Sequence, residues 1–272
     1  MPKIKIPNPR IVFSGIQPTG VPHLGNYVGA LRQWVQLQRS EPDTKLIYSI
    51  VDLHAITMPQ PPEQLRTRKR EALAALLAIG IDPERATLFY QSSVSPGSLR
   101  TDVDSQLYRI RGLSLEDDSV EAPVHRVMSL NDPTSKMSKS HKSEKSRILI
   151  TDSTEDIKAK ISSAKTDSIP GITYDQAERP GISNLLDILS IFDPEGRKGA
   201  ELAEQYSDIS PKQLKDMVTD AVVDGLGGIR DRYLGLLSKG DEYLDSVESI
   251  GAQKARKSAD DTMQIVRDAV GL

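Results

Sequence analysis

The chain has no cysteine in its 272 residues, which excludes disulfides, thiolate metal sites and cysteine nucleophiles together. Histidine is scarce as well. The four present (His23, His54, His125 and His141) never stand in an H-x-x-x-H spacing, so no zinc site is expected and no metal ligands are assigned. No apolar run approaches the length that spans a bilayer, so neither membrane integration nor a membrane partner is expected. Excess charge of one sign is lacking too. With 35 Lys and Arg against 38 Asp and Glu, the net charge is −3, which argues against indiscriminate nucleic-acid binding but leaves room for a local basic surface that grips RNA. Near the amino terminus Lys3, Lys5 and Arg10 are basic, but Pro2, Pro7 and Pro9 break any amphipathic helix, so neither a secretory signal nor an intact transit peptide is expected.

What is present describes a globular chain with room for two domains: 38% hydrophobic and 27% charged residues. Residues 10–15 (RIVFSG), 46–51 (LIYSIV) and 87–90 (TLFY) read as short buried strands. Between them lie two helical patterns. One starts near His23 with Leu24, Val28, Leu31 and Val35 on one face, and the other opens at Pro61-Pro62-Glu63 and ends near Gly80. This alternation predicts an α/β fold built on a Rossmann-like parallel sheet, whose ligands bind beyond the C-terminal strand ends. Residues 15–25, 52–57 and Gln91 fall there. Residues 92–121 are polar and turn-rich, with at best one helix near 104–110, too little for another strand–helix–strand unit. A further strand is expected at 124–130, so the sheet reads as truncated. From Thr154 onward the pattern is helical near 154–164, 182–192, 198–206, 211–226, 229–237 and 241–270, an all-α helical-bundle domain. The expected division is 1–153, a nucleotide-binding catalytic domain with a shortened middle at 92–123, and 154–272, a helical domain.

Two stretches carry chemistry. Gly15-Ile16-Gln17-Pro18-Thr19-Gly20 runs to His23-Leu24-Gly25-Asn26 at a helix start, where backbone N–H groups and the helix dipole favour an anion. Gly25 lets a flat base or ribose lie against the backbone, and His23 and Asn26 are placed to donate to phosphate and ribose. The stretch lacks both G-x-G-x-x-G and G-K-[ST], and taken in isolation it reads first as a glycine-rich turn with a capping histidine. The second stretch, Ser135-Lys136-Met137-Ser138-Lys139-Ser140-His141, is a loop of cations and hydroxyls able to follow a polyphosphate, or else a solvated basic loop.

Together, His23-Leu24-Gly25-Asn26 and Lys136-Met137-Ser138-Lys139-Ser140 resemble the paired signatures of class I aminoacyl-tRNA synthetases. Within that class the run from Ser14 to Leu31, Asp52-Leu53-His54-Ala55-Ile56-Thr57, and Met128-Ser129-Leu130 with Asp132-Pro133-Thr134 resemble the tryptophanyl-tRNA synthetases. Thr173-Tyr174-Asp175, Ala177, Arg179 and Gly181-Ile182-Ser183-Asn184 are similar to the bacterial and mitochondrial type. The resemblance covers about 10–91 and 124–272. It implies a tryptophan–tRNA ligase that joins tryptophan to ATP as tryptophanyl-adenylate and passes it to tRNA-Trp for protein synthesis. That chemistry rests on positioning and charge, with no protein nucleophile. It implies ATP contacts at Gln17, Pro18, Thr19, Gly25, Asn26, Val127, Lys136, Met137, Ser138, Lys139 and Ser140, with His23, Lys136 and Lys139 the catalytic group at the phosphates. His54 falls beside the amino-acid pocket, where a loop histidine bracing the strand end is an equal reading, and Gly15 with Ser14 shapes the pocket floor. It also implies Mg2+ carried by ATP, the substrates L-tryptophan and tRNA-Trp, a homodimer, and a helical domain that binds tRNA at its anticodon. The compartment would be the mitochondrial matrix in a eukaryote and the cytoplasm otherwise.

The chain departs from that family between Gln91 and Val124. The A-A-D-I segment, whose aspartate reads the indole N–H, and the G-E-D-Q segment are both missing, and Asp102, Asp104 and Gln106 match neither. Two readings therefore stand beside the ligase. One is a catalytically impaired shortened form or remnant that binds ATP or RNA without charging tRNA. The other is a different His-x-Gly nucleotidyltransferase.

Overall fold

The computed structural model describes residues 10–57, 60–94, 127–139 and 141–270. The expected strand residues 124–126, the helix expected near 104–110, His125, nearly all of the shortened middle and Ser140 lie outside them. The chain forms two compact units. The first draws on Met1–Gly20, Trp34–Glu116 and Gly235–Leu272, and the second on Val21–Gln33 and Asp117–Leu234.

In the first unit β1 (Ile11–Ile16), β2 (Lys45–Ile50) and β3 (Ala86–Tyr90) form a parallel sheet in the order β1-β2-β3. Ile11 pairs with Lys45, and Leu46 with Ala86. All residues of β2 except Lys45, and all of β3 except Tyr90, are buried, as a parallel strand covered on both faces requires. Helix α4 (Pro62–Ala78) returns the chain from β2 to β3. Pro62 starts it, Ala72–Leu76 are buried, and Gly80 closes it at φ +108°. The indole of Trp34 stacks on the Tyr48 ring at 4.3 Å between centroids.

The last helix, Asp241–Val270, spans the residues expected from the sequence but does not belong with the helical bundle. It packs on β3, where Ala255 joins Ile47 and Phe89 in a cluster flanked by Ile11, Phe13 and Val94. At Gly251 its backbone meets the strand so closely that an added Cβ would lie 1.5 Å from the Leu88 carbonyl oxygen. The compact units therefore do not follow a division at 153/154. The sequence showed the amphipathic pattern of this helix but not its partner.

The second unit carries α1 (Leu24–Asn26) and a π-helical turn (Tyr27–Leu31), while α2 (Arg32–Ser40), which continues them, belongs to the first unit from Trp34 onward. The second unit also holds α6 (Thr154–Ser162), α7 (Pro180–Ile191), α8 (Gly199–Gln205), α9 (Pro211–Gly225) and the start of α10 (Ile229–Ser238). Two short helices, α3 (Asp52–Ala55) and α5 (Gln91–Val94), complete the first unit, so Asp241–Val270 is α11. Capping boxes at Ser153/Asp156 and Ser210/Gln213 fix the starts of α6 and α9. α7 is buried along nearly its whole length between α8 and α9. Gly181 lets it approach, since a Cβ there would sit 2.2 Å from the Lys165 carbonyl oxygen. Among the described residues, no strand forms at 127–130. Met128 makes only an isolated antiparallel bridge with Lys136. Among the described residues no helix is long and apolar enough to cross a membrane.

Candidate active site

His23 is the N-cap of α1. Its Nδ1 accepts from the Asn26 backbone N–H at 3.2 Å, and the Asn26 Oδ1 accepts from the His23 N–H at 3.2 Å, a reciprocal capping box. The ring is buried. Burial first, then Lys139 and then Arg147, lower its pKa from 6.5 to about 4. The imidazole is therefore neutral at pH 7, and because Nδ1 accepts, its single proton sits on Nε2. His23 thus presents a hydrogen-bond donor without a charge. The Cβ position at Gly25 faces the His23 ring, at 3.0 Å from Cε1, and Val127 Cβ at 3.7 Å. The missing side chain makes room for the histidine, a packing reason that the sequence did not reveal.

The residues around His23 are held by a short antiparallel pairing. His23 bridges Leu149, the Leu24 N–H donates to the Ile148 carbonyl at 2.8 Å, and the Ile150 N–H donates to the Pro22 carbonyl at 3.0 Å. Asp152 anchors the partner segment by accepting from the Leu149 N–H at 2.8 Å and pairing with Lys160 at 2.5 Å. Arg147 stands one residue before this pairing and donates to the His141 carbonyl at 3.0 Å. Neither Arg147 nor Asp152 is marked out by the sequence motifs.

The lysine loop folds back on the segment before it. The Met137 N–H donates to the Val127 carbonyl at 3.0 Å, and the Ser129 N–H donates to the Ser135 carbonyl at 2.8 Å. Asp132 shapes the entry by accepting from Thr134 Oγ1 at 2.6 Å and Ser135 Oγ at 2.8 Å, and these hydroxyls hold its carboxyl below the usual range. Val127 and Met137 are buried, Lys136 is exposed, and Ser138 and Lys139 are half-buried. The second unit therefore brings together His23, Gly25, Asn26, Val127 and the described part of the lysine loop, from sites more than 100 residues apart. The electrostatic reach of Lys139 and Arg147 onto His23 marks a spot of positive potential beside a neutral donor, suited to a polyanion.

The first unit carries the remaining candidates at the C-terminal strand ends. Gly15 lies in β1 beside Ser49, Gln17 and Thr19 form the turn after it, with the Thr19 N–H donating to the Gln17 carbonyl at 2.9 Å, and Gly20 turns at φ +96°. Pro18 is buried, whereas Gly15, Gln17 and Thr19 are exposed. His54 is exposed on α3, and its carbonyl accepts from Thr57 Oγ1 at 2.8 Å. Next to it, buried Asp52 pairs with Lys69 at 2.6 Å and accepts from the Ser92 N–H at 2.9 Å and Ser92 Oγ at 2.5 Å. Lys69 also lies over the Tyr90 ring at 4.3 Å. Sequence reasoning quoted Asp52 only as part of a motif. Its structural work is to tie the end of β2 to the end of β3.

The motif at 173–184 is scaffolding. Buried Arg179 bonds Asp167, with Nη2 to Oδ1 at 2.8 Å, and also donates to the Gly171 and Ile169 carbonyls. Ser183 Oγ accepts from the Asp175 N–H at 2.9 Å. The Asn184 carboxamide bonds the backbone of Met128 in both directions, at 3.0 and 3.2 Å.

Comparison with known proteins gives a consistent family. The family model described as tRNA synthetases class I (W and Y) matches residues 7–100 and 114–227. A mitochondrial tryptophan–tRNA ligase of Schizosaccharomyces pombe is 31% identical, with 100% of this chain and 98% of that protein aligned over 359 residues. That span exceeds the 272 residues here, so the relative carries residues without a counterpart in this chain. Among solved structures, a tryptophanyl-tRNA synthetase from Mycoplasma pneumoniae superposes with a TM-score of 0.73 at 25% identity, covering 97% of this chain and 98% of that one. One from Campylobacter jejuni, complexed with ADP and tryptophan, gives 0.68 at 25% identity, covering 97% and 100%.

Proposed function

The chain belongs to the class I tryptophanyl- and tyrosyl-tRNA synthetase family, and from that premise we propose that it is a tryptophan–tRNA ligase. The carboxylate of L-tryptophan attacks the α-phosphorus of ATP, forming tryptophanyl-adenylate and releasing pyrophosphate. The terminal ribose of tRNA-Trp then takes the tryptophanyl group and AMP leaves. The relatives favour this reading over a chain that binds ATP or RNA without charging tRNA, and over another nucleotidyltransferase.

The observation that carries it is the meeting, within one unit, of the His23 turn and the lysine loop, with Val127 Cβ 3.7 Å from where a side chain at Gly25 would begin and Lys139 acting on His23. His23, neutral with its proton on Nε2, donates to a phosphate oxygen without the cost of desolvating a second cation. Lys139 neutralises charge as pyrophosphate separates, and exposed Lys136 swings onto the outer phosphates. Gln17, Pro18, Thr19, Gly25, Asn26, Val127, Met137, Ser138 and Ser140 complete the ATP contacts. His54 and Gly15 serve the amino-acid side. Among the described residues no group of three or more His, Cys, Asp or Glu could hold a metal ion. In this reading Mg2+ comes with the triphosphate as part of the substrate.

The same reading gives the helical residues 154–272, apart from α11 on β3, the task of gripping tRNA at its anticodon. It makes the working form a homodimer and places it in the mitochondrial matrix if the source is eukaryotic, in the cytoplasm otherwise. The test is tryptophan-dependent exchange of pyrophosphate into ATP, followed by charging of tRNA-Trp. Exchange that needs tryptophan and is not supported by tyrosine is the expected result. Nucleotide turnover that is indifferent to amino acid would overturn the assignment.

A further inference from the structure

Asn184 lies in the second turn of α7, 3% exposed, and its side chain does what a neighbouring β-strand would do. The Met128 N–H donates to Asn184 Oδ1 at 3.0 Å, and Asn184 Nδ2 donates to the Met128 carbonyl at 3.2 Å. The partners fix the amide orientation, since an N–H needs the oxygen and a carbonyl needs the nitrogen. Along the same segment the alternate residues face the other way: the Val127 carbonyl and the Ser129 N–H bond the lysine loop at Met137 and Ser135. At Met128 the segment is thus clamped between the loop on one side and the Asn184 carboxamide on the other. Two contacts fix the depth of the clamp. The Lys165 N–H donates to the Leu130 carbonyl at 2.8 Å, and Gly181 brings α7 up against Lys165.

No other common side chain of this size fits. A leucine would leave the half-buried Met128 N–H and carbonyl without these partners, and an aspartate would set a carboxylate oxygen against the Met128 carbonyl. We propose that Asn184 is a positioning residue for the nucleotide site: it sets the backbone at Val127 and Met128, and through the Val127–Met137 bond it sets where Lys136 and Lys139 meet the phosphates. The assignment rests on the ligase reading.

The test compares wild type with Asn184→Asp and Asn184→Leu. Pyrophosphate exchange is measured against ATP and against tryptophan, together with amide hydrogen exchange of 127–139 and the melting midpoint. The expected result is a KM for ATP raised about tenfold with the KM for tryptophan within about twofold. Amides of 127–139 should exchange roughly tenfold faster while those of α9 hold their protection. Two results would overturn the proposal in variants that keep the fold. One is a wild-type KM for ATP with wild-type loop exchange. The other is a parallel rise of both KM values with a falling melting midpoint, the mark of a merely structural residue. Should neither variant fold, the Met128 amide of the wild type decides, and exchange there as fast as at exposed loop amides counts against the clamp. A wild-type chain that shows no tryptophan-dependent exchange defeats the ligase reading alone, and the loop amides of the variants still decide what Asn184 does.

Discussion

Among the described residues, two backbone segments, one in each unit, lack a further strand on one side, and they are finished in opposite ways. β3 is the end strand of its sheet, and the Leu88 carbonyl points away from β2 into the backbone of α11 at Gly251. The Met128 segment is finished by the tip of one side chain, Asn184. Covering an edge with helix backbone excludes water and rival strands over several residues, but it works only where the helix has no side chain. A carboxamide satisfies the N–H and the carbonyl of one residue, Met128, and leaves its neighbours Val127, Ser129 and Leu130 to other partners. The first arrangement suits a sheet that only has to persist. The second suits a segment leading into the loop that we propose follows a reacting phosphate.

The comparison can be broken most severely at Gly251. Gly251→Ala puts a methyl group 1.5 Å from Leu88 O, and backbone cannot rotate away as a side chain can, so α11 must lift from β3. A loss of about 4 kcal/mol in unfolding free energy is expected, at the upper end of single substitutions. Urea unfolding checks it, and a change of less than about 1 kcal/mol would show that the helix is not the seal described.

A smaller loss is expected at the strand ends. Lys69→Met strands the Asp52 carboxylate, 3% exposed, with only Ser92 as partner among the described residues. Removing one member of a buried pair costs roughly 3 kcal/mol, discounted here to about 2 because Lys69 is itself a fifth exposed. Adding Asp52→Asn should restore much of the loss, because the charge left without its partner is gone. A double variant no more stable than the single one would mean that the cation–π contact with Tyr90, not the ion pair, is what matters.

Much of this architecture is legible in the sequence. The three strands and α11 fall within a residue of where their patterns place them, because apolar runs bounded by turn residues and helical periodicity are local signals. The His23 turn and the lysine loop are legible for the same reason, each being a short contiguous motif. What is not legible is partnership. Nothing in an amphipathic helix names the surface it covers, although the small pair Gly251-Ala252 within it is a trace of close approach. The Asn184–Met128 bond joins positions 56 residues apart through a side chain common on any helix, and the neutral state of His23 depends on burial that no motif encodes.

That burial makes the next prediction, on the loop side of the comparison. With its pKa lowered from 6.5 to about 4, folded His23 stays neutral where the unfolded chain takes up a proton. The stability it permits is therefore fully present above pH 6.5 and is lost as the pH falls through the window down to about 4, by roughly 3 kcal/mol in all. His23→Asn keeps an N-cap acceptor but removes the titration, so its urea midpoint should fall less than that of wild type between pH 7 and pH 4.5. Equal falls in the two proteins would contradict the buried neutral ring.

The smallest effect on folding is expected at Lys136, and that smallness is the point. The side chain is exposed, and its backbone only closes the bridge with Met128, so Lys136→Ala should change unfolding free energy by no more than about 0.5 kcal/mol. Its effect on pyrophosphate exchange should instead be on the order of a hundredfold, because a cation that follows the leaving phosphates stabilises the transition state more than the ground state. Gly251 and Lys136 then form opposite extremes: one residue whose whole contribution is to the fold, and one whose contribution is to the reaction. An exchange rate that dropped only in step with stability would place the lysine with the scaffold and leave His23 and Lys139 to carry the phosphate chemistry.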